Sequence, residues 1–316
     1  MTALLYCWDG RQIRLPDVTE WKFQYGTGTP CDSFWLRCLW EPEEEDVLAE
    51  TVEFSALEDG ERVFTGVVDE CERGWDSQGG FLVLSGRGMA ARLLDNEALG
   101  ADYQVATLED ILRDHVTPYG IQVGARAQLP AVPNFSVAVG SSEWQVLYQF
   151  CRYYGGILPR FDRQGQLILT PWEEGRRLVL GPETGTVSLT LRDQRYGVLS
   201  QVLVRDRTSG AVQTVTDADF ARRGGMCRRV LTMPGKSSYQ AMRYSGEYQL
   251  AVARRELRQA EVELPGAFLA WPGDLVELEL ARPVARGLWR VRESVCGLDE
   301  KGTYTRLTLG APDGVD

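Results

Sequence analysis

The sequence predicts an α+β, β-rich fold in which two strand-rich ends enclose a mixed centre. Three observations carry that expectation. Thr51 to Ala56 alternates, with Val52, Phe54 and Ala56 on one face, and Arg62 to Glu70 follows after the turn Glu58-Asp59-Gly60-Glu61, as a hairpin would. Asp274 to Leu280, Leu288 to Val295 and Thr303 to Leu309 are amphipathic segments joined by turns, a meander near the other end. Between these lies Ser142 to Thr170, which reads as a capped helix, a glycine stop and a hairpin.

The first region, 1–96, also holds extended Phe34 to Trp40 and the apolar strand Phe81 to Ser85. The acidic run Glu41 to Asp46, broken by Pro42, reads as a solvated loop. In the second region, 97–186, Thr107 with Asp110 caps a short helix through Val116, stopped by Pro118 and Gly120. Val123 to Val139 is interrupted by Pro130 and Pro133 and predicts short strands. Ser142 and Gln145 then begin a helix with Trp144, Leu147, Tyr148, Cys151 and Tyr154 along one stripe. Gly155-Gly156 ends it, and strands Ile157–Phe161 and Gln166–Thr170 flank the turn Asp162-Arg163-Gln164-Gly165.

The third region, 187–316, returns to strands: Val187, Leu189 and Leu191 alternate, and Val198 to Arg205 continues. A helix is expected over roughly 238–264, with Met242, Gly246, Leu250, Ala253, Leu257, Ala260 and Leu264 as its stripe and Pro265-Gly266 as its stop. No internal repeat is evident.

Composition narrows the function. A net charge of −11 argues against a chain that grips nucleic acid through its phosphates. No run of about 18 apolar residues offers a membrane span. The start, MTALLYCWDGRQIRL, lacks the basic and small-residue pattern of a signal peptide. The cysteines, Cys7, Cys31, Cys38, Cys71, Cys151, Cys227 and Cys296, are scattered, odd in number and without a CxxC, as expected of reduced, buried thiols.

The chemistry-bearing patterns are thin. His115 is the one histidine, and it lies on the short helix beside Leu108, Ile111 and Leu112, where a packing role is expected. Gly235-Lys236-Ser237 lacks the glycine a phosphate loop needs five positions earlier, where Val230 stands. Gly26-Thr27-Gly28 has Cys31 where a dinucleotide loop needs its third glycine. Asp69 and Glu70 are neighbours on a strand and so point to opposite faces. Asn134-Phe135-Ser136 fits a glycosylation sequon, which has meaning only after secretion. No catalytic, cofactor-binding or metal-binding residue is nominated, and no cofactor is expected.

Several segments taken together resemble a known family. They are Phe64 to Asp69, Ser85-Gly-Arg-Gly-Met-Ala-Ala-Arg-Leu-Leu-Asp95-Asn96, the helix with Gly155-Gly156 and its DRQGQL hairpin, and Trp271-Pro-Gly-Asp-Leu-Val276. This series is similar to the baseplate hub proteins of contractile phage tails: the Mu-type hub, the late control protein D family and the prophage hub of Gram-positive bacteria. Where related hubs carry a GRD-type sequence, this chain has Gly86-Arg87-Gly88.

The resemblance implies two tube-like β-barrel domains, at 1–96 and 187–316, flanking an α/β domain at 97–186. It implies a non-enzymatic homotrimer whose ring of six barrels meets a hexameric tail tube on one side and a trimeric central spike on the other. Tape-measure and baseplate wedge proteins are further expected partners, and DNA is a transient cargo of the channel. Such a protein is assembled in the bacterial host cytoplasm and resides in the virion, or in a related injection particle. The formal charge of three copies is −33, and a lumen of that sign would not retain DNA. The competing readings are a tail-tip component of a non-contractile tail, a two-carboxylate carbohydrate hydrolase and a carbohydrate-binding module. Trp35, Trp40, Trp271 and Trp289 are considered for interfaces, but none is assigned a site.

Overall fold

The structure, a computed structural model, describes residues 1–27, 31–40, 48–173, 175–194, 196–255, 257–279 and 286–312. The acidic run Glu41 to Asp46 and Gly28 of the weak glycine loop therefore lie outside the described residues.

Seven strands open the chain: β1 (Thr2–Cys7), β2 (Gln12–Arg14), β3 (Val18–Gly26), β4 (Ser33–Leu39), β5 (Thr51–Glu58), β6 (Glu61–Asp76) and β7 (Gly79–Gly88). The centre holds α1 (Ala91–Leu94), β8 (Ala101–Ala106), α2 (Leu108–His115), β9 (Val123–Arg126), β10 (Val132–Val137), α3 (Glu143–Gly155), β11 (Arg160–Phe161) and β12 (Leu167–Leu169). After it come β13 (Arg177–Leu180), β14 (Ser188–Asp193), β15 (Gln201–Asp206), β16 (Val212–Thr216), α4 (Ala218–Arg222), β17 (Arg228–Met233) and α5 (Tyr239–Arg255). The last strands are β18 (Arg258–Pro265), β19 (Leu275–Leu278), β20 (Gly287–Asp299) and β21 (Gly302–Gly310).

Among the described residues, thirteen strands from both ends of the chain form one continuous sheet in the order β14-β18-β21-β20-β3-β4-β7-β6-β5-β1-β2, with β19 and β13 branching from β20. The long strand β20 makes this continuity. Its first residues pair with β19, and Glu293 to Leu298 pair with Gly26 to Trp21 of β3, after a register shift between Val291 and Glu293. The bulge turns one strand from one sheet segment into the other.

Two cores lie against this sheet. Leu5, Phe23, Leu36, Phe54, Phe64 and Leu84 fill the first, and Cys296 of β20 is buried among them. Val262, Leu264, Val276, Val291 and Leu309 fill the second. The central region has its own core around Ile111, Phe135, Leu147 and Phe150. A fourth gathers Val202, Val204, Met233, Met242 and Leu250, where α5 packs on the sheet β16-β15-β17.

The local signals of the centre hold. Thr107 and Asp110 form a full capping box on α2, and the Ser142 hydroxyl accepts the Gln145 amide at 3.2 Å to cap α3. Gly156 ends α3 at φ 69°, a left-handed conformation that costs a side-chain-bearing residue about 1 kcal/mol. The Asp162 carboxylate accepts the Gln166 amide at 2.8 Å, closing the hairpin turn. The expected terminal meander is present as β19, β20 and β21, antiparallel in sequence order.

One expectation is corrected. The helix read over 238–264 stops at Arg255, and Arg258–Pro265 is strand β18. Met242, Leu250 and Ala253 do face a core from the helix, but Ala260, Val262 and Leu264 are buried by strand alternation. The segment LRQAEVELP, 257–265, satisfies both a period of two and, through Leu257, Ala260 and Leu264, a near-helical spacing. The empty places beside β14 and β21 decide between them, because β18 pairs with both.

Candidate functional site

The residues that carry chemistry in principle are placed as follows. His115 is buried within the central core: its Nδ1 lies 2.6 Å from a Glu143 carboxylate oxygen and its Nε2 3.0 Å from the Tyr103 hydroxyl. Tyr119 donates to the other Glu143 oxygen at 2.7 Å, and that bond pushes the phenol up to about 12. No serine or cysteine joins this network among the described residues. Gly235-Lys236-Ser237 forms the turn into α5: the Ser237 amide donates to Asp206, and the Ser238 hydroxyl accepts the Ala241 amide at 3.1 Å. The Gly26 amide donates to Asp32, and the Thr27 amide to the Arg292 carbonyl. No cluster of His, Cys, Asp and Glu with metal-holding geometry occurs among the described residues, and no described helix is long and apolar enough to cross a membrane.

The motif residues converge instead on the seams between regions. Arg87, from β7, donates two bonds to Asp69 on β6 and two to Asp95 just after α1. One guanidinium thus ties the motif segment Phe64 to Asp69 to the motif segment Ser85 to Asn96, in the fork geometry that suits arginine and not lysine. The Asp95 carboxyl is held below its usual range by that contact, and Arg87 is held still more firmly protonated, by Asp69 first and Asp95 second. Gly86, beside it, passes so close to β6 that a Cβ there would stand 2.0 Å from the Val67 carbonyl oxygen. A side chain at that position would force the strands apart.

The hairpin β11–β12 makes the second seam. At its tip the Arg163 carbonyl accepts the Thr65 hydroxyl at 2.8 Å, and the Arg163 guanidinium lies 4.3 Å over the Trp271 ring. Trp271 meets Tyr25 edge to face at 4.9 Å. Asp274, buried, accepts the Trp271 amide and the Arg176 side chain at 3.0 Å each, and the Arg176 amide at 2.9 Å. Trp271-Pro-Gly-Asp274 is therefore a turn whose acid fastens a segment 98 residues away.

Around this tip opens a cleft of about 440 Å³, lined among others by Asp32, Arg163, Trp172 and Trp271. Burial pushes the Asp32 carboxyl up to about 7, relieved in part by the Gly26 amide. Arg160 stacks 4.5 Å over Trp172 on the same wall. Among the described residues that line the cleft, no nucleophile is paired with a base. What it does physically is fix the angles between three regions through polar and stacked contacts.

Of the tryptophans considered for interfaces, Trp40 and Trp289 are buried and Trp35 and Trp271 half-buried. The exposed ones are Trp8, in the turn after β1, and Trp75, near the end of β6, at 73% and 76% exposure. Sequence reasoning passed over both. Their neighbours Asp9-Gly10 and Ser77-Gln78-Gly79 are the available signal, since an aromatic beside a turn is hard to bury.

Residues 90–171 match the family described as baseplate hub protein gp44-like, second domain. No curated protein matches the chain. Among solved structures, the tail protein from Neisseria meningitidis MC58 is similar over 99% of this chain and 96% of its own, at TM-score 0.79 and 18% identity. The prophage MuSo2 43 kDa tail protein from Shewanella oneidensis matches over the whole of both chains, at TM-score 0.76 and 18% identity. An E. coli component of the type VI secretion system, described as structurally similar to T4 tail proteins gp27 and gp5, matches over 94% of this chain and 74% of its own, at TM-score 0.58 and 14% identity. The expected resemblance to baseplate hubs is thereby shown, and the β-rich fold is that of phage tail proteins.

Proposed function

We propose that the chain is a structural hub of a phage-type tail baseplate. Three copies form a ring that joins a hexameric tail tube to a trimeric spike and lines the channel through which DNA passes. The observation that carries this reading is the thirteen-stranded sheet shared by both ends of the chain, with a gp44-like second domain set against it. A single chain with two strand-rich segments in one rigid sheet can offer two similar faces, and a trimer of such chains can meet sixfold symmetry.

The division into tube-like barrels at 1–96 and 187–316 with an α/β domain at 97–186 belongs to this reading. So do residence in the virion after assembly in the host cytoplasm, contacts with tape-measure and wedge proteins, and the absence of enzymatic turnover. The separate core around Ile111, Phe135 and Leu147 supports the middle domain, and the cores filled by Phe23 and by Val262 support the two flanking ones, joined where Cys296 enters the first.

The experiment is native mass measurement of the full chain, with negative-stain imaging of any oligomer and reconstitution with its tail tube and spike proteins. A three-subunit ring with a central pore that caps tube ends is the expected result. A chain that binds neither protein and hydrolyses glycans would overturn the reading.

A further inference from the structure

Among the described residues, α5 packs on one face of the sheet β16-β15-β17, and on the other only the α4 segment approaches, where Ala221 and Met226 line a groove with Gln201, Thr216 and Arg228. Val202, Val204, Val215, Leu231 and Met233 point to α5 and its core. The other face is a grid set by register: Gln201 lies between Thr216 and Arg228, Leu203 between Thr214 and Val230, and Arg205 between Val212 and Thr232. Val230 and Val212 are 63% and 56% exposed. The face therefore has an aliphatic centre and a cationic rim, the pattern of a protein docking surface.

Charge selects the occupant. Residues 201–233 hold six arginines and three aspartates, a formal +3, which leaves −14 on the rest of a chain whose total is −11. Two of the aspartates are engaged, Asp217 by Arg254 and Asp219 by Arg222. Arg205 and Arg228 form no ion pair among the described residues. Of these arginines Arg205 and Arg228 stand on the exposed face, while Arg229 turns to α5 and bonds Gln249, and two such cations on an otherwise acidic body are complementary to another copy of that body. A closed ring of three needs such a pairing, because its interface is heterologous: each subunit presents one patch to a different patch of the next. Nucleic acid fits less well, since the centre of the grid carries aliphatic side chains where bases would need aromatic planes.

The geometry points to the exposed face of β16-β15-β17 as the surface by which one copy of this chain docks on the next. This rests on the trimeric hub reading and adds the contact that builds the ring. The test is sedimentation velocity of the full chain over a wide concentration range, at low and high salt. Arg205→Glu with Arg228→Glu, and separately Val230→Asp, are compared with wild type. These side chains are exposed, and unchanged far-ultraviolet dichroism shows that the variants fold.

A wild-type trimer that salt weakens, and that both variants weaken roughly tenfold or more, supports the inference. Trimers equally tight in wild type and variants overturn it and leave the hub reading standing. A wild type that stays monomeric throughout overturns it too, and tube binding then judges the hub reading separately. Variants that lose only retention of duplex DNA, with unchanged association, overturn it in favour of a nucleic-acid contact.

Discussion

Phe268 lies parallel to Trp21, with ring centroids 5.1 Å apart and planes within 4°, although 247 positions separate them. Phe268 belongs to the loop after β18, and Trp21 to the first core. The loop is held there by the Phe268 amide, which donates to the Cys296 thiol at 3.3 Å, and by the Ser294 hydroxyl, which donates to the Ala270 carbonyl at 2.8 Å. The late part of the chain thus completes the core of the early part. Phe268→Ala removes that plug and should cost about 2 kcal/mol, less than a fully buried phenylalanine because the ring is half-buried. Calorimetry should show the melting temperature fall by about 4 °C or more. An unchanged transition would mean that the loop does not support the first core.

Arg87 makes a second long-range prediction. Its fork serves Asp69 and Asp95 together, so Arg87→Lys should lose nearly as much stability as Arg87→Met, about 1 kcal/mol for these part-exposed pairs. Denaturant midpoints of the two variants test it. A lysine variant equal to wild type would show that charge alone suffices.

Asp32 predicts a pH dependence with an unusual sign. Its carboxyl is raised from 3.8 to about 7 by burial, so the folded state holds the proton more tightly than the unfolded state. Its contribution is harmless below the unfolded value and becomes destabilising as pH rises toward 7. Asp32→Asn keeps an acceptor for the Gly26 amide and removes the charge. It should stabilise the fold by about 2 kcal/mol near pH 8 and change it little near pH 4, the figure being reduced for exposure at the cleft mouth. Urea unfolding at both pH values measures it, and equal effects at both would exclude Asp32 as the titrating group.

Arg152 on α3 is buried against α5, with its guanidinium 2.9 Å from the centre of the Tyr248 ring and 5.6 Å from that of Tyr244. Its three side-chain nitrogens find no hydrogen-bond acceptor among the described residues. The group's role is then mostly to fill space. Arg152→Ala should cost about 3 kcal/mol through the cavity it leaves, whereas Arg152→Met should cost well under half of that. Chemical denaturation of both variants decides, and equal losses would assign the stability to the stacked cation instead.

The sequence by itself determined the short-range features: the caps at Thr107 and Ser142, the stop at Gly156, the Asp162–Gly165 turn and the terminal meander. Each is set by hydrogen bonds and side-chain periods spanning a few residues, so a local reading finds it. The soft motifs Phe64 to Asp69, Ser85 to Asn96 and Trp271 to Val276 were also legible, but only as a family likeness. Tertiary structure alone decided what they do. Arg87 reaching two aspartates, Asp274 holding Arg176 and Phe268 filling the first core all depend on which strands become neighbours. The segment 258–265 shows the reason most plainly. Its spacing allowed helix or strand, and it became a strand because β14 and β21 left unpaired edges on both sides of it. Backbone groups in a buried sheet must be paired, and the partners that pair them can lie hundreds of residues away.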